Sequence, residues 1–253
     1  YTLREDIVKD PRAVLAAISA AGYKNVETFG YGEGKFFGLS VKEFGQALKD
    51  NGLSTPSGHY APGDFLFRDG NGDDVKELIE VAHTLGHEYI VIPYLSEDQR
   101  KTEEQYKHLT ERMNLAGELC RDSSLQLGYH NHSFEFTDLG NGRHGYDILL
   151  AETDPALVKL EMDIYWVVRG GYDPIDMMKK HPGRFPLWHV KDMDKANRNE
   201  NTEIGNGSID YKSIFKEAKL SGLKYYYVEQ ENNYVPNPIE SIGASSRYLK
   251  ENI

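Results

Sequence analysis

Short apolar strand patterns alternate with longer amphipathic helix patterns along the whole chain. The clearest strands are Tyr89–Tyr94, which is apolar at nearly every position, and Val158–Asp163. A strand that is apolar on both faces is typical of a parallel sheet that helices cover. Helices begin and end at recognisable signals between the strands: Asp10-Pro11 and Asp173-Pro174 begin two of them, and Gly86 ends a third.

This alternation predicts eight strand–helix units. The predicted strands are Tyr1–Arg4, Asn25–Phe29, Leu53–His59, Tyr89–Tyr94, Leu125–His130, Val158–Asp163, Pro186–Val190 and Tyr225–Val228. The predicted helices are Arg12–Ala21, a helix capped by Ser40 and ended by Gly52, Asp73–Leu85, Thr102–Ser123, Tyr146–Glu152, Asp173–Lys180, Asp210–Leu220 and Ile239–Lys250. Units of about 30 residues without a linker predict an α/β fold, a (β/α)8 TIM barrel that forms a single domain over residues 1–253.

The first of these strands is expected to be truncated. The chain opens at Tyr1–Arg4 in what resembles the second half of a strand, so upstream residues are expected to be missing. An open doubly wound sheet is the alternative fold, but it normally carries a Gly-rich phosphate loop after its first strand. Here Arg4–Asp6 occupies that place, and Gly30–Gly38 lacks the required glycine spacing and is predicted to be a flexible loop.

Composition narrows the possible partners. The chain has 29 Lys and Arg against 40 Asp and Glu, a formal net charge of −11, which argues against duplex nucleic acid and an anionic membrane surface. A single cysteine, Cys120, excludes an intrachain disulfide and a cysteine-based zinc site. The apolar run Tyr89–Leu95 is too short to cross a bilayer, and no signal peptide is visible. The sequence does not decide whether the protein is located in the bacterial cytoplasm or in the periplasm. It also does not decide whether the protein forms a homo-oligomer.

Ionisable residues stand where many of the predicted strands end. In a (β/α)8 barrel these carboxyl ends meet at one rim, where active sites lie. Burying so many charges is costly unless they are compensated, and a bound divalent cation is the simplest compensation. The residues at these ends are Glu27, His59, His130, His132, Glu135, Glu161, Asp163, His189, Lys191, Asp192, Glu229 and Glu231.

Four of these residues are the predicted metal ligands, one from each of four neighbouring strands. Three carboxylates with one imidazole suit a hard or borderline divalent ion, here Mn²⁺, Mg²⁺, Co²⁺ or Zn²⁺. Coordination positions of the ion that no protein side chain fills would be occupied by water or by two substrate oxygens. The four predicted ligands are Glu135, Asp163, His189 and Glu229.

Several rim residues are open to more than one role. His130 and His132 lie two positions apart, so their side chains point the same way on an extended strand. They are open as metal ligands, as supports for a ligand or as substrate contacts, and we predict substrate contacts. Glu231 lies two positions after Glu229, so both side chains point to the same side, but Glu231 lies farther from the apolar strand. We predict that Glu231 contacts the substrate. Glu161 lies deeper than the predicted ligands and is interpreted as a supporting carboxylate.

Lys191 and the aromatic residues complete the predicted site. Lys191 either stabilises a developing oxyanion, binds a substrate hydroxyl or forms a rim salt bridge with Asp192. Tyr165 and Trp166 are predicted to contact the apolar face of a sugar ring, although core packing explains any single aromatic residue equally well. Other aromatic residues near the rim are Tyr60, Tyr94, Phe134, Phe136, Trp188 and Tyr234.

Four segments carry a resemblance to a known family: Tyr129–Phe136, Met162–Trp166, His189–Asp192 and Val228–Glu231. Together with Gly22–Glu27 they resemble the sugar phosphate isomerase/epimerase group of xylose isomerase-like TIM barrels, in the AP endonuclease 2 superfamily that also contains endonuclease IV. The resemblance implies a TIM barrel with one divalent metal ion on the four ligands predicted above. It further implies that His59, His132 and Lys191 face the substrate.

The predicted function is that of a metal-dependent sugar isomerase or epimerase. A metal-bound carboxylate, Glu135 or Glu229, would take a proton beside the carbonyl of a ketose and form an enediolate, while Lys191 and His59 hold hydroxyls. The alternative is a lyase or hydratase on 3-keto sugars or glycosides, because the same first step can expel a neighbouring group. A non-catalytic sugar-binding barrel and an endonuclease IV-like phosphodiesterase are further alternatives. Arg169 is the only arginine near the rim motifs, so we expect no phosphate requirement.

Overall fold

A nearly closed barrel of parallel strands forms the centre of the molecule. The computed structural model describes residues 1–61, 63–68, 70–140 and 142–253, with the side chain of residue 64 excepted. Its strands are β1 (Asn25–Thr28), β2 (Tyr31–Gly32), β3 (Lys35–Phe36), β4 (Leu39–Ser40), β5 (Ser54–His59), β6 (Tyr89–Ile92), β7 (Gln126–His130), β8 (Val158–Asp163), β9 (Leu187–Val190), β10 (Asp192–Met193), β11 (Asn201–Thr202) and β12 (Tyr225–Val228).

Helices follow the barrel strands and cover their outer face. They are α1 (Arg4–Ile7), α2 (Pro11–Ala20), α3 (Val41–Asp50), α4 (Gly63–Phe67), α5 (Asp73–Leu85), α6 (Glu103–Asp122), α7 (Gly145–Glu152), α8 (Ile164–Arg169), α9 (Pro174–Lys180), α10 (Tyr211–Phe215), α11 (Ala218–Ser221) and α12 (Pro238–Asn252), with 3₁₀ turns at Glu97–Gln99 and Phe134–Phe136. The described residues contain no helix that combines the length and the apolar character needed to cross a membrane.

The barrel sheet has the order β1-β5-β6-β7-β8-β9-β12, and its neighbouring strands pair in parallel. This arrangement confirms the predicted TIM barrel. The parallel register places His130 opposite Glu161 and Asp163 opposite His189. The pairing therefore brings ionisable side chains from successive strands to the same level of the barrel.

The predicted capping signals are present at the helix ends. The Asp10 side chain accepts a hydrogen bond from Ala13 N and begins α2 at the following proline. Ser40 with Glu43 forms a capping box at α3, and the 20-residue helix α6 begins with another such box. These local bonds explain why the bounds of these helices could be predicted within one or two residues.

An apolar layer lies inside the barrel beneath the polar rim. Tyr89, Val91, Leu187 and Tyr227 form a buried cluster of their own. Leu187 comes two residues before His189, so both side chains lie on the same face of β9. The polar side chains of the rim therefore rest on an apolar floor inside the barrel.

Three predicted elements differ in the structure. Residues 1–3 are irregular and α1 follows, so the prediction that Tyr1–Arg4 forms the first strand is wrong. Arg4 belongs to that helix, and its side chain donates to the Glu231 carbonyl oxygen at 3.0 Å, so a side-chain hydrogen bond and not strand pairing joins this segment to the residues after β12. β1 and β12 are consequently the two ends of the barrel sheet.

The other two differences concern a loop and a helix. The segment Gly30–Gly38, predicted as a flexible loop, contains most of the small antiparallel sheet β2-β3-β4. The predicted helix Asp210–Leu220 is divided into α10 and α11. Ser221 ends α11 inside the protein, where its hydroxyl donates to the Phe185 carbonyl and accepts from Trp188 Nε1. These bonds hold α11 against β9.

Candidate active site

Ionisable side chains from five strands and from the segment after a sixth converge at the carboxyl ends of the barrel strands. They come from β1, β5, β7, β8 and β9 and from the segment that follows β12. Alternation along each strand turns residues two positions apart toward the barrel interior. The convergent residues are Glu27, His59, His130, Glu161, Asp163, His189, Lys191 and Glu229, and most of them are buried.

The first cluster, called here the lysine-side group, consists of Asp163, His189 and Glu229. Their ligand atoms lie within 4.8 Å of one another. His189 Nδ1 lies 2.7 Å from Glu229 Oε2. The Lys191 ammonium lies 3.4 Å from Asp163 Oδ2 and 3.5 Å from Glu229 Oε2, and it also contacts the Glu231 carboxylate. Three of the four predicted metal ligands therefore lie together.

Lys191 is the cation of this cluster. Its side chain is 0% exposed. Burial alone would lower the pKa of Lys191, but the surrounding carboxylates, with Asp163 first, outweigh burial and raise the pKa above its ordinary value. Lys191 is therefore a buried ammonium group held between carboxylates.

Asp192, the alternative partner of Lys191, has another function in the structure. Its carboxylate accepts hydrogen bonds from the backbone N–H groups of Met193, Gly205, Gly207 and Ile209. A Cβ at Gly207 would meet Asp192 Oδ1 at 2.1 Å, so only glycine permits this close approach. Asp192 therefore holds the two ends of the long loop after β9 together.

Glu135, the fourth predicted ligand, does not join the cluster. Its Oε1 accepts a hydrogen bond from Tyr129 OH at 2.7 Å, and its Oε2 accepts one from His132 N at 2.9 Å. Tyr129 alternates with His130 along β7 and lies on the helix side of the strand. Burial raises the pKa of Glu135 to about 7. The 3₁₀ turn after β7 thus folds this carboxylate behind the strand, and His130 is the side chain that β7 contributes to the site.

A second cluster, called here the histidine-rich group, lies beside the first and consists of Glu27, His59, His130 and Glu161. His59 Nε2 lies 2.8 Å from both Glu27 Oε2 and Glu161 Oε2. His130 Nδ1 lies 3.0 Å from Glu161 Oε2, and the other nitrogen of that ring lies 3.8 Å from Asp163 Oδ2. His189 Nε2 lies 2.7 Å from Glu27 Oε2, so this ring lies between the two groups.

The electrostatics of the histidine-rich group reflect two close carboxylates. Burial alone would lower the pKa of His59, but Glu27 and Glu161 outweigh it and raise the pKa to about 9. Burial raises the pKa of Glu161 to about 7, and the charge of Glu27 acts in the same direction. Glu161 Oε1 is buried and has no hydrogen-bond partner among the residues that the structure describes. The group therefore favours added positive charge.

Neither Glu27 nor Glu161 is among the metal ligands predicted from the sequence. The sequence does indicate that Glu161 faces the barrel interior, because it lies two positions before Asp163 on the same strand. Which other strands face Glu161 depends on the barrel register, which the sequence alone does not specify.

A large cavity opens above both groups. Its volume is about 910 Å³, near the upper end of the range of about 300–1,000 Å³ that small-molecule sites occupy. The cavity extends toward the gap between β1 and β12, where Tyr1–Leu3 line it. Its lining includes most of the predicted substrate-binding residues, namely His59, His130, His132, Trp166 and Glu231.

Tyr165 is the predicted substrate-binding residue that does not line this cavity. Its ring is buried, and its hydroxyl donates to the Arg198 carbonyl oxygen at 3.0 Å. The Lys191 ammonium lies 5.4 Å from the centre of the Tyr165 ring. Tyr165 therefore supports Lys191 and the loop after β9 from within the protein.

His132 is held at the cavity by three aromatic rings. It stacks on Phe134 with ring centres 5.4 Å apart, and Trp166 and Tyr94 lie at 5.5 Å and 5.3 Å. Burial lowers the pKa of His132 to about 3. Its Nδ1 is buried and has no hydrogen-bond partner in the described part of the chain. His132 is therefore a neutral imidazole at the edge of the cavity, with one ring nitrogen that is buried and unbonded.

The donor atoms of the lysine-side group suit a divalent ion. Two carboxylates and one imidazole are ligands that Mn²⁺, Co²⁺ and Zn²⁺ accept. The buried Glu161 Oε1, which no described residue bonds, indicates that carboxylate charge beside this group is not fully compensated by the protein. The residues present therefore fit the predicted metal.

Comparisons with known proteins found relatives that match nearly the whole chain. A sugar phosphate isomerase/epimerase from Parabacteroides distasonis has 30% identity and a TM-score of 0.87, over 99% of this chain and 91% of that one. An inosose dehydratase from Clostridium botulinum is 25% identical over 275 residues, which cover 94% of this chain and 88% of that protein. The structure of an IOLI protein with a bound zinc atom has 17% identity and a TM-score of 0.73, over 95% of this chain and 91% of the other.

The family assignment rests on a match over most of the chain. The sequence profile of one family, described as a xylose isomerase-like TIM barrel, matches residues 15–252. This range includes every strand of the barrel sheet and both groups of ionisable residues. The chain therefore belongs to the family of xylose isomerase-like TIM barrels.

Proposed function

We propose that this protein catalyses β-elimination from a keto-sugar or keto-cyclitol, as a divalent-metal-dependent dehydratase or lyase. One observation carries the proposal: a buried ammonium, Lys191, lies beside Asp163, His189 and Glu229 next to a sugar-sized cavity. The relatives named inosose dehydratase favour elimination over the isomerase reaction expected from the sequence.

The reaction needs charge stabilisation at one oxygen and proton transfer at two positions. A C–H bond beside the carbonyl breaks, and its electron pair forms an enolate. The enolate then expels the group on the next carbon as a C=C bond forms. Asp163, His189 and Glu229 would hold the divalent ion, which when bound supplies a Lewis acid for the carbonyl oxygen. The Lys191 ammonium donates a hydrogen bond to the oxyanion as it develops.

Proton transfer requires a group that faces the cavity with an available nitrogen or oxygen. Glu229 meets this requirement and is the proposed base, because it lines the cavity. His132 lines the same cavity, but burial lowers its pKa to about 3 and its unbonded Nδ1 is buried, so this ring is a weak base and we place it as a substrate contact. Glu135 does not suit this role, because both of its oxygens accept hydrogen bonds behind β7. His59 and Glu231 would hold substrate hydroxyls.

A screen of keto-sugars tests the proposal. The protein, loaded with Mn²⁺ or Co²⁺, is incubated with an inosose and with a panel of 3-keto glycosides, with and without EDTA, and products are followed by mass spectrometry. We expect loss of water or of the aglycone, and EDTA should abolish it. A Lys191→Met variant that keeps its metal should lose activity at least ~100-fold. Full activity in EDTA would overturn the proposal.

The isomerase or epimerase reaction is the second candidate, favoured by the relative from Parabacteroides distasonis. Both reactions begin with the same proton abstraction, so the product and not the labelling of the starting sugar distinguishes them. An isomeric or epimeric product that contains deuterium from ²H₂O and has lost no group indicates isomerisation or epimerisation. An unsaturated product that has lost water or an aglycone indicates elimination.

A further inference from the structure

Asn131 is a buried amide at the end of β7 that binds the backbone of a predicted metal ligand. Its side chain is 0% exposed, and it lies between His130 and His132, whose rings line the cavity. Asn131 Oδ1 accepts a hydrogen bond from Asp163 N at 3.1 Å, and its Nδ2 donates to the Asp163 carbonyl oxygen at 3.3 Å. One side chain therefore binds both polar backbone groups of Asp163.

This contact takes the place of strand pairing between β7 and β8. The last pair of these two strands is His130 with Glu161, whereas Asp163 still belongs to β8 and pairs with His189 of β9. A carboxamide carries the same donor and acceptor as a peptide unit, and buried backbone groups need such partners. The Asn131 side chain therefore continues the sheet by one step and holds the last residue of β8 from the β7 side.

The position of this backbone decides which oxygen of Asp163 faces the site. Oδ1 accepts a hydrogen bond from Trp166 N at 3.0 Å and caps α8. Oδ2 lies 3.4 Å from Lys191 Nζ and 3.8 Å from His130 Nε2. The bond at Oδ1 and the two bonds from Asn131 together fix the Asp163 carboxylate with Oδ2 toward the other residues of the lysine-side group.

We propose that Asn131 is a positioning residue, which holds Asp163 so that its Oδ2 meets the divalent ion of the lysine-side group. Residues that orient a metal ligand in this way commonly change metal affinity by about 10- to 100-fold when they are lost. The assignment rests on the proposed function in one respect, namely that the lysine-side group holds an ion. Asn131 acts only through Asp163 and contacts neither the ion nor the substrate.

Asn114 offers a matched control on the outer helix layer. Its Nδ2 donates to the Glu152 carbonyl oxygen at 3.0 Å, and its Oδ1 accepts from Asp154 N at 2.7 Å. Asn114 lies on α6 and ties this helix to the turn between α7 and β8. Replacing it with alanine removes the same kinds of bond as replacing Asn131, but at a place where no predicted metal ligand is held.

Metal affinity without any substrate tests the assignment. The affinity for Co²⁺ is measured by competition with a chelating dye for the wild type, Asn131→Ala and Asn114→Ala, and circular dichroism shows that each is folded. We expect Asn131→Ala to bind Co²⁺ about 10- to 100-fold more weakly and Asn114→Ala to keep the wild-type affinity. Asn131→Leu, which removes both bonds but retains the volume, should behave like Asn131→Ala and replaces it if that variant does not fold.

The visible absorption spectrum of bound Co²⁺ separates positioning from a loss of stability, because it reports the arrangement of the ligands. The spectrum at saturating Co²⁺ should change in Asn131→Ala and stay unchanged in Asn114→Ala. Wild-type affinity and spectrum in a folded Asn131 variant, or an equal loss of affinity in Asn114→Ala, would overturn the assignment. Either result leaves the proposed function intact, whereas the expected losses without wild-type activity on any keto-sugar overturn only that function.

Discussion

His87 predicts how the stability of this barrel depends on pH. The imidazole is 5% exposed and lies at the amino-terminal side of β6, away from the candidate site. Its Nδ1 lies 2.5 Å from the Thr55 carbonyl oxygen, so Nδ1–H donates there, and Nε2 accepts from Tyr60 OH at 2.7 Å. Both ring nitrogens are thus used by the neutral form. Protonation would place a positive charge on a ring that is buried away from water, which is costly.

The size of the effect of pH on the free energy of unfolding follows from the pKa of this ring. Burial lowers the pKa of His87 from 6.5 to about 4. Between these values the unfolded chain binds a proton at this position and the folded protein does not, so stability falls as pH falls. Each pH unit in this window costs about 1.4 kcal/mol, and the whole window costs about 3 kcal/mol. The contribution is fully present above pH 6.5.

The assay compares the wild type with His87→Gln, which removes the titrating group. Urea unfolding is followed by circular dichroism at pH values from 7 to 4.5, and the free energy of unfolding is plotted against pH. The wild-type curve should be steeper by about 1.4 kcal/mol per pH unit between pH 6 and 4.5. Carboxylates titrate in both proteins, so their effect is common to the two curves. Parallel curves would refute the reasoning.

Tyr60→Phe provides the matched control for this experiment. It removes the hydroxyl that donates to His87 Nε2 but retains the imidazole. We expect a loss of about 1 kcal/mol at neutral pH from the missing hydrogen bond. The steep dependence on pH should remain, because the ring stays buried.

Three further predictions concern the site and the packing around it. In urea unfolding, Lys191→Met should lower the free energy of unfolding by about 3–5 kcal/mol, because buried carboxylates lose their cation. Adding Asp163→Asn to this variant should recover part of the loss, because it removes one of those carboxylates. Glu135→Gln should retain the wild-type metal content in metal analysis, since this carboxylate lies behind β7, and a lost ion would contradict the placement. Gly145→Ala should lower the stability by about 1–3 kcal/mol in thermal unfolding, because a Cβ there would lie 2.1 Å from the Tyr106 ring.

Much of the barrel could be predicted from local signals in the sequence. The apolar strand β6 and the capped helices α2, α3 and α6 have patterns that depend on neighbouring residues only. The Tyr1–Arg4 segment could not be predicted this way, because a strand requires a paired neighbour, and here the Arg4 side chain instead donates to the Glu231 carbonyl oxygen beyond the end of β12. The break at Lys216 and Glu217 between α10 and α11 is likewise not indicated by the local sequence pattern.

The candidate site, too, could be predicted only where the direction of a side chain depends on local structure. Asp163, His189 and Glu229 end regular strands, so their direction follows from alternation along each strand. Glu135 lies in a 3₁₀ turn, and its direction depends on a hydrogen bond to Tyr129 that the sequence pattern does not indicate. The register that places Glu161 between histidines of β5 and β7 is also a property of the assembled barrel.

The Asp192 carboxylate divides the loop after β9 into two parts with different freedom to vary. Its bonds to Met193, Gly205, Gly207 and Ile209 fix both ends of the loop next to Lys191. The exposed tip, residues 195–200, lies outside this clamp. Substitutions at the tip therefore leave the clamp bonds intact and do not displace the backbone that carries the Lys191 ammonium group. The outer part of this loop is thus free to vary in sequence while the buried lysine stays in place.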